Sequence, residues 1–165
     1  MLSFADLHHY SWAQLPSWVF DVPRLRIVWA NASGLQLWGA ANLDELLARD
    51  FSDASSATVS RLFANMQQHA EGRLVRESWT LYPADVPTTS IMASRGITLP
   101  DGRQAILFAS EPLAARLEPA TLRGVEAMQH TSVRVAMHDL ALDMPLMRNP
   151  SAVAAFGLIN SPAEP

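Results

Sequence analysis

The stretch "RIVWANASGLQLWGA", residues 26–40, changes character at Asn31. Before Asn31 the residues are apolar and β-prone, which predicts a strand over 25–30. Asn is a favoured N-cap, because its side-chain oxygen accepts a backbone N–H of the first helical turn. Apolar residues follow at helical spacing, and Gly39 suits the left-handed position that ends a helix. The stretch therefore predicts a strand followed directly by a short helix over 31–39.

The segments on either side of this stretch extend the pattern. Residues 17–22, "SWVFDV", predict a strand that forms a hairpin with the strand over 25–30. Two capping patterns predict a helix over 3–14 and another short helix after residue 41: Ser3 with Asp6, and Asn42 with Glu45.

The clearest amphipathic pattern covers residues 55–70 and predicts a long helix. Its apolar residues recur at helical spacing and are expected to face the core: Val59, Leu62, Phe63, Met66 and Ala70. Three β-prone runs follow, over 73–82, 88–99 and 103–110, and the last two are joined by the turn sequence Pro-Asp-Gly. Residues 113–130 again have a helical pattern.

The predicted order of elements is β-β-α-α-α-β-β-β, with a helix on each side. This order indicates an α+β fold, in which an antiparallel sheet carries helices over one face. The chain has 165 residues and 49% apolar residues, which is enough for a packed core.

Composition excludes several classes of function. The net charge of −4 gives no basic surface for nucleic acid, and no cysteine is present for disulfides or thiolate chemistry. No apolar run reaches the length of a membrane span, and the N-terminus "MLSFADLHHY" does not have the pattern of a signal peptide. We therefore expect a cytoplasmic protein that binds neither nucleic acid nor membrane.

A second stretch, "PLMRNPSAVAAFGLI" over 145–159, repeats the pattern of the first. Asn31 aligns with Asn149 at an offset of 149 − 31 = 118, and the same offset places Gly39 on Gly157 and Asp21 on Asp139. One gapless offset that aligns strand, cap and helix predicts the start of a second copy of the domain. Chance similarity between two capped helices is the alternative.

These residues resemble a known family. "FDVPRLRIVWANASGLQLWGA", with the three helices and three strands that follow, resembles a PAS domain, and "MHDLALDMPLMRNPSAVAAFG" resembles the opening of a second one. The resemblance implies a five-stranded antiparallel sheet. It divides the chain into an N-terminal helix (1–15), a PAS domain (16–112), a helical linker (113–130) and the truncated start of a second PAS domain (131–165).

The resemblance also implies a role and a site. PAS domains are sensing and dimerisation modules, and bacterial examples are linked to histidine kinases, diguanylate cyclases or phosphodiesterases. We expect a homodimer through the flanking helices and an output domain outside this chain. A cleft between sheet and helices would hold a small ligand against Trp38, Phe51, Phe63, Met66, Trp79, Met92 and Phe108. The alternative is a packed core in a ligand-free dimerisation module.

The chemistry of such a site is left open by the sequence. Without cysteine the chain cannot form the covalent flavin adduct of light-sensing relatives, although aromatic residues could stack on a non-covalent flavin. His69 falls where haem-binding relatives carry a ligand, but its position beside the apolar stripe predicts an exposed side chain. We predict no metal site and no enzyme activity, and an enzyme based on Asp50, Asp53 or Glu77 is the remote alternative. The cofactor is unassigned.

Overall fold

The computed structural model describes residues 2–11, 13–83, 86–111, 124, 127–128, 130–139 and 144–156. It divides into two compact units, Met1–Leu117 and Glu118–Pro165, hereafter unit 1 and unit 2. Most of the helix predicted over 113–130 lies outside the described residues.

Unit 1 is built on a sheet of five antiparallel strands with a short sixth strand at one edge. The antiparallel strands are β2 (Ser17–Asp21), β3 (Arg26–Ala30), β4 (Val75–Leu81), β5 (Thr88–Thr98) and β6 (Gln104–Glu111). They are ordered β4-β5-β6-β2-β3, so the first hairpin lies beside the last strand. The predicted α+β class and the predicted hairpin of β2 and β3 are confirmed.

Three helices connect the first hairpin to the last three strands, and the short ones begin where the capping pattern predicts. They are α2 (Ala32–Trp38), α3 (Leu43–Leu47) and α4 (Ser56–Ala70). The Asn42 side chain accepts the Glu45 N–H at 2.9 Å, and the Glu45 carboxylate accepts the Ala41 N–H at 2.8 Å. The Ser55 side chain caps α4 by accepting the Thr58 N–H.

The N-terminal segment differs from the helix predicted over 3–14. It starts as a strand, β1 (Leu2–Ser3), which pairs in parallel with Ile97 and Thr98 of β5. A 3₁₀ helix over Phe4–Leu7 and a single α-helical turn, α1 (His8–Ser11), follow. The predicted capping pattern is confirmed, because Ser3 is the N-cap and the Asp6 carboxylate accepts the Ser3 N–H at 2.8 Å. The α-helical part is shorter than predicted, and the backbone of residues 2–3 also continues the sheet edge where β4 stops.

Asn31 joins three elements through one buried side chain. Its Oδ1 accepts the Gly34 N–H of α2 at 2.7 Å and the Ser17 N–H of β2 at 3.0 Å. Its Nδ2 donates to the carbonyls of Tyr10, Ala13 and Leu15 at 3.0–3.1 Å. The predicted cap is confirmed, and Gly39 ends α2 with a φ of 60°.

The two faces of the sheet are covered by different parts of the chain. The inner face packs against α2, α3 and α4 through an aromatic-rich core. The outer face carries a smaller cluster, in which the N-terminal segment contributes Leu7 together with Leu2, Phe4 and Tyr10. Each face of the sheet therefore has its own apolar layer.

The buried face of α4 is not the apolar stripe that the sequence indicated. Leu62 is buried and Met66 is half-buried, but Ala70 is exposed and the Phe63 side chain is 46% exposed. Three polar residues of α4 are buried instead: Arg61, Asn65 and His69. The helix turns this polar face toward the sheet because each of the three residues has hydrogen-bond partners on the sheet or in the turn that follows α4.

Unit 2 repeats the first hairpin and helix of unit 1. Its elements are β7 (Ala136–Asp139), β8 (Met144–Arg148) and α5 (Pro150–Phe156). β7 and β8 are antiparallel, and their pairing shifts between Met137 and His138. The β2–β3 pairing shifts between Val19 and Phe20, which are the equivalent residues at the offset of 118. The repeat seen in the sequence thus extends to strand register and to the position of a bulge.

Close contact between α2 and β2 yields a prediction about Gly34. A Cβ at this position would lie 2.5 Å from the Ser17 carbonyl oxygen, which itself accepts the Asn31 N–H at 3.0 Å. We expect Gly34→Ala to destabilise unit 1 by about 1–2 kcal/mol, because backbone must move despite the better helix propensity of Ala. Urea denaturation measured by tryptophan fluorescence tests this.

Gln36→Ala is the matched control, since Gln36 is exposed on the same helix. All five tryptophans lie in residues 12–79, so the fluorescence change comes from unit 1. Equal stability of Gly34→Ala and the wild type would contradict the close packing of α2 on β2.

Candidate functional site

The seven side chains predicted to line a cleft fall into two groups. Four are buried in the inner-face core and two more pack against it: Trp38, Trp79, Met92 and Phe108, with Phe51 and Met66. Phe63 lies outside this cluster and lines a surface cleft to which α4, β5 and β6 all contribute.

The aromatic rings of the inner face contact one another closely. Trp38 meets Trp18 and Phe51 edge to face, with ring centroids 5.7 and 5.5 Å apart. Phe108 stacks on Trp18 at 5.6 Å and meets Trp79 edge to face at 6.0 Å. These distances lie within the range of favourable aromatic pairs. The rings therefore fill much of the space in which a ligand would have to fit.

The indole N–H of Trp38 stands out within this cluster. It is buried, and among the described residues it has no hydrogen-bond partner. A small molecule with a hydrogen-bond acceptor would satisfy this donor.

A buried polar cluster lies where α4 meets β4. The Glu77 carboxylate accepts hydrogen bonds from Arg61 Nε at 3.0 Å, Asn65 Nδ2 at 2.5 Å and Trp79 Nε1 at 2.8 Å. Arg61 also donates to the Ser78 carbonyl at 2.6 Å. Glu77 thus balances the charge of a guanidinium that is almost completely buried.

Arg61 has a second role in the same cluster. Its guanidinium lies over the Trp79 ring, 4.1 Å from the ring centroid. The side chain therefore combines an ion pair with a cation–π contact, both across the same helix–sheet junction. This junction fixes α4 on the sheet beside the aromatic core, a position that the apolar pattern of α4 alone did not predict.

His69 is buried, and the prediction of an exposed surface histidine was wrong. Only 4% of the residue is exposed. Nδ1 lies 2.9 Å from the Arg73 carbonyl, so Nδ1 carries the proton, and Nε2 accepts from the Ser94 hydroxyl at 3.2 Å. Gly96 allows the close approach, because a Cβ there would lie 3.0 Å from His69 Cβ. Nε2 therefore links α4 to β5, and Nδ1 links α4 to the turn that follows it.

Two surface clefts border His69. One, of about 370 Å³, is lined by Leu2, Arg73, Leu74 and Arg95 as well as His69 and Gly96. The other, of about 280 Å³, is mainly apolar, and its lining includes Phe63, Met66, Ala70 and Ala105. Neither lining includes an aromatic residue of the inner-face core, although Met66 borders both the second cleft and that core.

The carboxylates considered for catalysis do not come together. Asp50 and Asp53 are exposed, and the Asp50 carboxylate accepts the Ser52 N–H at 3.0 Å. Glu77 is occupied by its three donors. Across the described ranges, no group of three or more histidine, aspartate or glutamate side chains is placed to hold a metal ion.

The polar cluster predicts the effect of Glu77→Gln. The substitution keeps the shape but leaves the Arg61 charge buried without its counter-ion, so we expect a loss of roughly 2–3 kcal/mol in the free energy of unfolding. Chemical denaturation followed by fluorescence measures it. Glu45→Gln makes the same change at the exposed Glu45–Arg49 pair and should alter stability little. Equal losses in the free energy of unfolding for the two substitutions would show that the buried ion pair contributes no more to stability than the exposed one.

Burial of His69 predicts a pH dependence. The pKa of His69 lies below its ordinary value, chiefly because burial penalises the imidazolium, while the Arg73 carbonyl and the charge of Glu77 oppose this shift. The unfolded chain therefore takes up this proton at higher pH than the folded chain. The stability that neutral His69 provides is complete above about pH 6.5 and is lost as the pH falls below that value.

We expect the melting temperature of unit 1 to fall between about pH 7.5 and about pH 5.5, and to fall less in His69→Gln. The measurement is thermal unfolding followed by tryptophan fluorescence at both pH values. His9→Gln, at an exposed histidine, should keep the pH dependence of the wild type. The same fall in His69→Gln as in the wild type would contradict the assignment.

Comparison with solved structures places this architecture among known folds. An RNA-binding light-oxygen-voltage receptor matches with a TM-score of 0.51 and 18% identity, over 75% of this chain and 37% of that chain. The PAS domain of Bordetella pertussis BvgS matches with a TM-score of 0.47 and 15% identity, over 76% and 97% of the two chains. A domain of a sensory box sensor histidine kinase/response regulator from Geobacter sulfurreducens gives 0.44 and 19%, over 65% and 91%.

No protein-family model and no curated protein matches the sequence. Within the part of the chain that the structure describes, no helix has the length and apolar character needed to cross a bilayer. Unit 1 has the strand order β4-β5-β6-β2-β3 with three helices over one face, and the light-oxygen-voltage receptor matches this chain with a TM-score above 0.5. Unit 1 therefore has the fold of a PAS domain.

Proposed function

We propose that this chain is a sensory or regulatory PAS module of a multidomain bacterial signalling protein. The observation that carries the proposal is the PAS fold of unit 1. The output domain lies outside this chain and is of the histidine kinase or the diguanylate cyclase/phosphodiesterase type. The module acts in the cytoplasm, and its own role is regulatory, not catalytic.

The proposed sensing site is the inner face of the sheet. Phe63 does not lie there. The other six predicted side chains do: Trp38, Phe51, Met66, Trp79, Met92 and Phe108. The unpartnered Trp38 N–H supports the choice, because it gives an apolar site one directional polar contact. A small molecule bound at this site regulates the output domain only if it binds two states of the PAS domain with different affinity.

A second candidate is a ligand-free dimerisation module. The close ring contacts of the inner face favour it, because a filled core leaves little room for a ligand. In this case the flanking segments pair two copies of the chain, and the aromatic core only stabilises the domain. The same homodimer through flanking helices belongs to the first candidate as well.

We further propose that residues 16–112 are one PAS domain and that 131–165 begin a second one, with 1–15 and 113–130 as the segments that lead into each. The support is the common offset of 118, which holds for strand register, bulge and helix cap. In unit 1 the β6 strand covers the free edge of β2. The corresponding edge of β7 would receive a strand of the completed second domain.

Native mass spectrometry beside a denatured sample tests the sensing proposal. We expect extra mass that disappears on denaturation, and we expect Trp38→Phe to retain less of it, because Phe keeps a ring but lacks the N–H. Trp29→Phe is the matched control, since Trp29 packs with the outer-face cluster. Bare protein in all three samples, observed as a dimer, would reject the ligand and favour the dimerisation module.

A further inference from the structure

Asn149 of unit 2 does more than cap a helix. Asn149 is fully buried. Its Oδ1 accepts the Ala152 N–H of α5 and the Val135 N–H that precedes β7, both at 3.0 Å. These two bonds complete the work of an N-cap. Serine or aspartate would supply the same acceptor, so the cap alone does not require an amide side chain.

The amide nitrogen of Asn149 is directed at the segment before β7. It donates to the carbonyls of Met128 at 3.0 Å, Thr131 at 3.3 Å and Val133 at 2.6 Å. Ser151 Oγ adds a second bond to the Thr131 carbonyl at 3.2 Å. We call residues 128–133 the lead-in segment of unit 2, because the chain passes through it before entering the sheet.

Unit 1 contains the same arrangement at Asn31. Its Nδ2 donates to the carbonyls of Tyr10, Ala13 and Leu15, and each acceptor is 118 residues before its counterpart in unit 2. Residues 10–15 are therefore the lead-in segment of unit 1. Three carbonyls share the two amide protons of each asparagine and two N–H groups donate to its oxygen, at one offset, which a helix cap by itself does not require.

Side-chain burial does little to hold the C-terminal end of either segment. Val133 is 65% exposed and its counterpart Leu15 is 38% exposed, although both carbonyls are bonded to the asparagine. At these positions the polar bonds fix the backbone, and apolar packing does not. Displacing a lead-in segment must therefore break bonds of the same side chain that orients the first strand and the helix.

We propose that Asn149 is a positioning residue that fastens the lead-in segment 128–133 to β7 and α5, and that Asn31 does the same for residues 10–15 in unit 1. A pull or rotation of either segment reaches the first strand and the helix of its unit through one side chain. The proposal does not depend on whether a ligand binds at the inner face. It makes the lead-in segments parts of the units that follow them.

Asn149→Asp in the full chain separates the two roles of the side chain. The carboxylate keeps the acceptor for Val135 and Ala152 but cannot donate to the three carbonyls. Trypsin is the probe, because Arg134 follows the lead-in segment directly and Arg148 ends β8 within the same unit. We measure the ratio of cleavage after Arg134 to cleavage after Arg148 by mass spectrometry.

The proposal predicts that this ratio rises by about tenfold or more in Asn149→Asp, because several hydrogen bonds of the lead-in segment are lost while the cap is kept. Ser151→Ala removes one of two bonds to Thr131 and should raise the ratio by a smaller factor. An unchanged ratio while unit 2 remains folded would overturn the proposal.

Asn31→Asp repeats the test in unit 1, whose core is complete, and keeps it decisive if Asn149→Asp unfolds unit 2. Hydrogen exchange by mass spectrometry should show faster exchange in the peptide covering residues 8–15, with the α2 amides still protected. The proposal is contradicted if the 8–15 peptide and the α2 amides lose protection equally, or if neither loses any. Tryptophan fluorescence should report an unchanged melting temperature of unit 1 in Asn149→Asp, which serves as the internal control.

Discussion

The Asn31 side chain is the interaction on which the arrangement of unit 1 depends. Through one amide it connects the end of the N-terminal segment, the start of β2 and the first turn of α2. All of these groups are backbone N–H or C=O groups that would otherwise lose their hydrogen bonds on burial. The position of α2 over the sheet follows, and Gly34 allows the approach by presenting no side chain to the Ser17 carbonyl.

A second constraint determines how α4 lies on the sheet. Arg61 and Asn65 must meet Glu77, and His69 must meet Ser94, or buried polar groups would remain unsatisfied. Satisfying them exposes apolar side chains such as Phe63. The aromatic core and the polar junction thus lie side by side between α4 and the sheet, so a change in the packing of one would be transmitted to the other. This proximity is why we regard the inner face as the place where a PAS module of this kind would respond to a signal.

Features set by near neighbours in the chain were predictable from the sequence. The caps at Asn31 and Asn42 act over three residues, and the hairpin turn before Arg103 contains Gly102 with a φ of 84°. Runs of apolar, β-prone residues identified the strands. The 118-residue offset also came from local pattern, because strand, cap and helix each leave their own trace in the sequence.

Features set by distant partners were not predictable. The bonds from α4 to the sheet join residues 12–25 positions apart, and an amphipathic pattern does not show them. For this reason the buried His69 and the exposed Phe63 were both assigned to the wrong environment. The parallel pairing of β1 with β5, near the other end of the unit, was likewise not predicted, although the cap at Ser3 was. The donations from Asn31 to Tyr10, Ala13 and Leu15 also lie beyond local reasoning.

The central claim is that one asparagine in each unit holds the chain through its amide nitrogen as well as its oxygen. The most direct measurement is hydrogen exchange of the side-chain amides by NMR, with Asn42 as the reference, because Asn42 is exposed and its oxygen caps α3. The account predicts that the Nδ2 protons of Asn31 and Asn149 exchange much more slowly than those of Asn42. Exchange of either at the rate of Asn42 would contradict it.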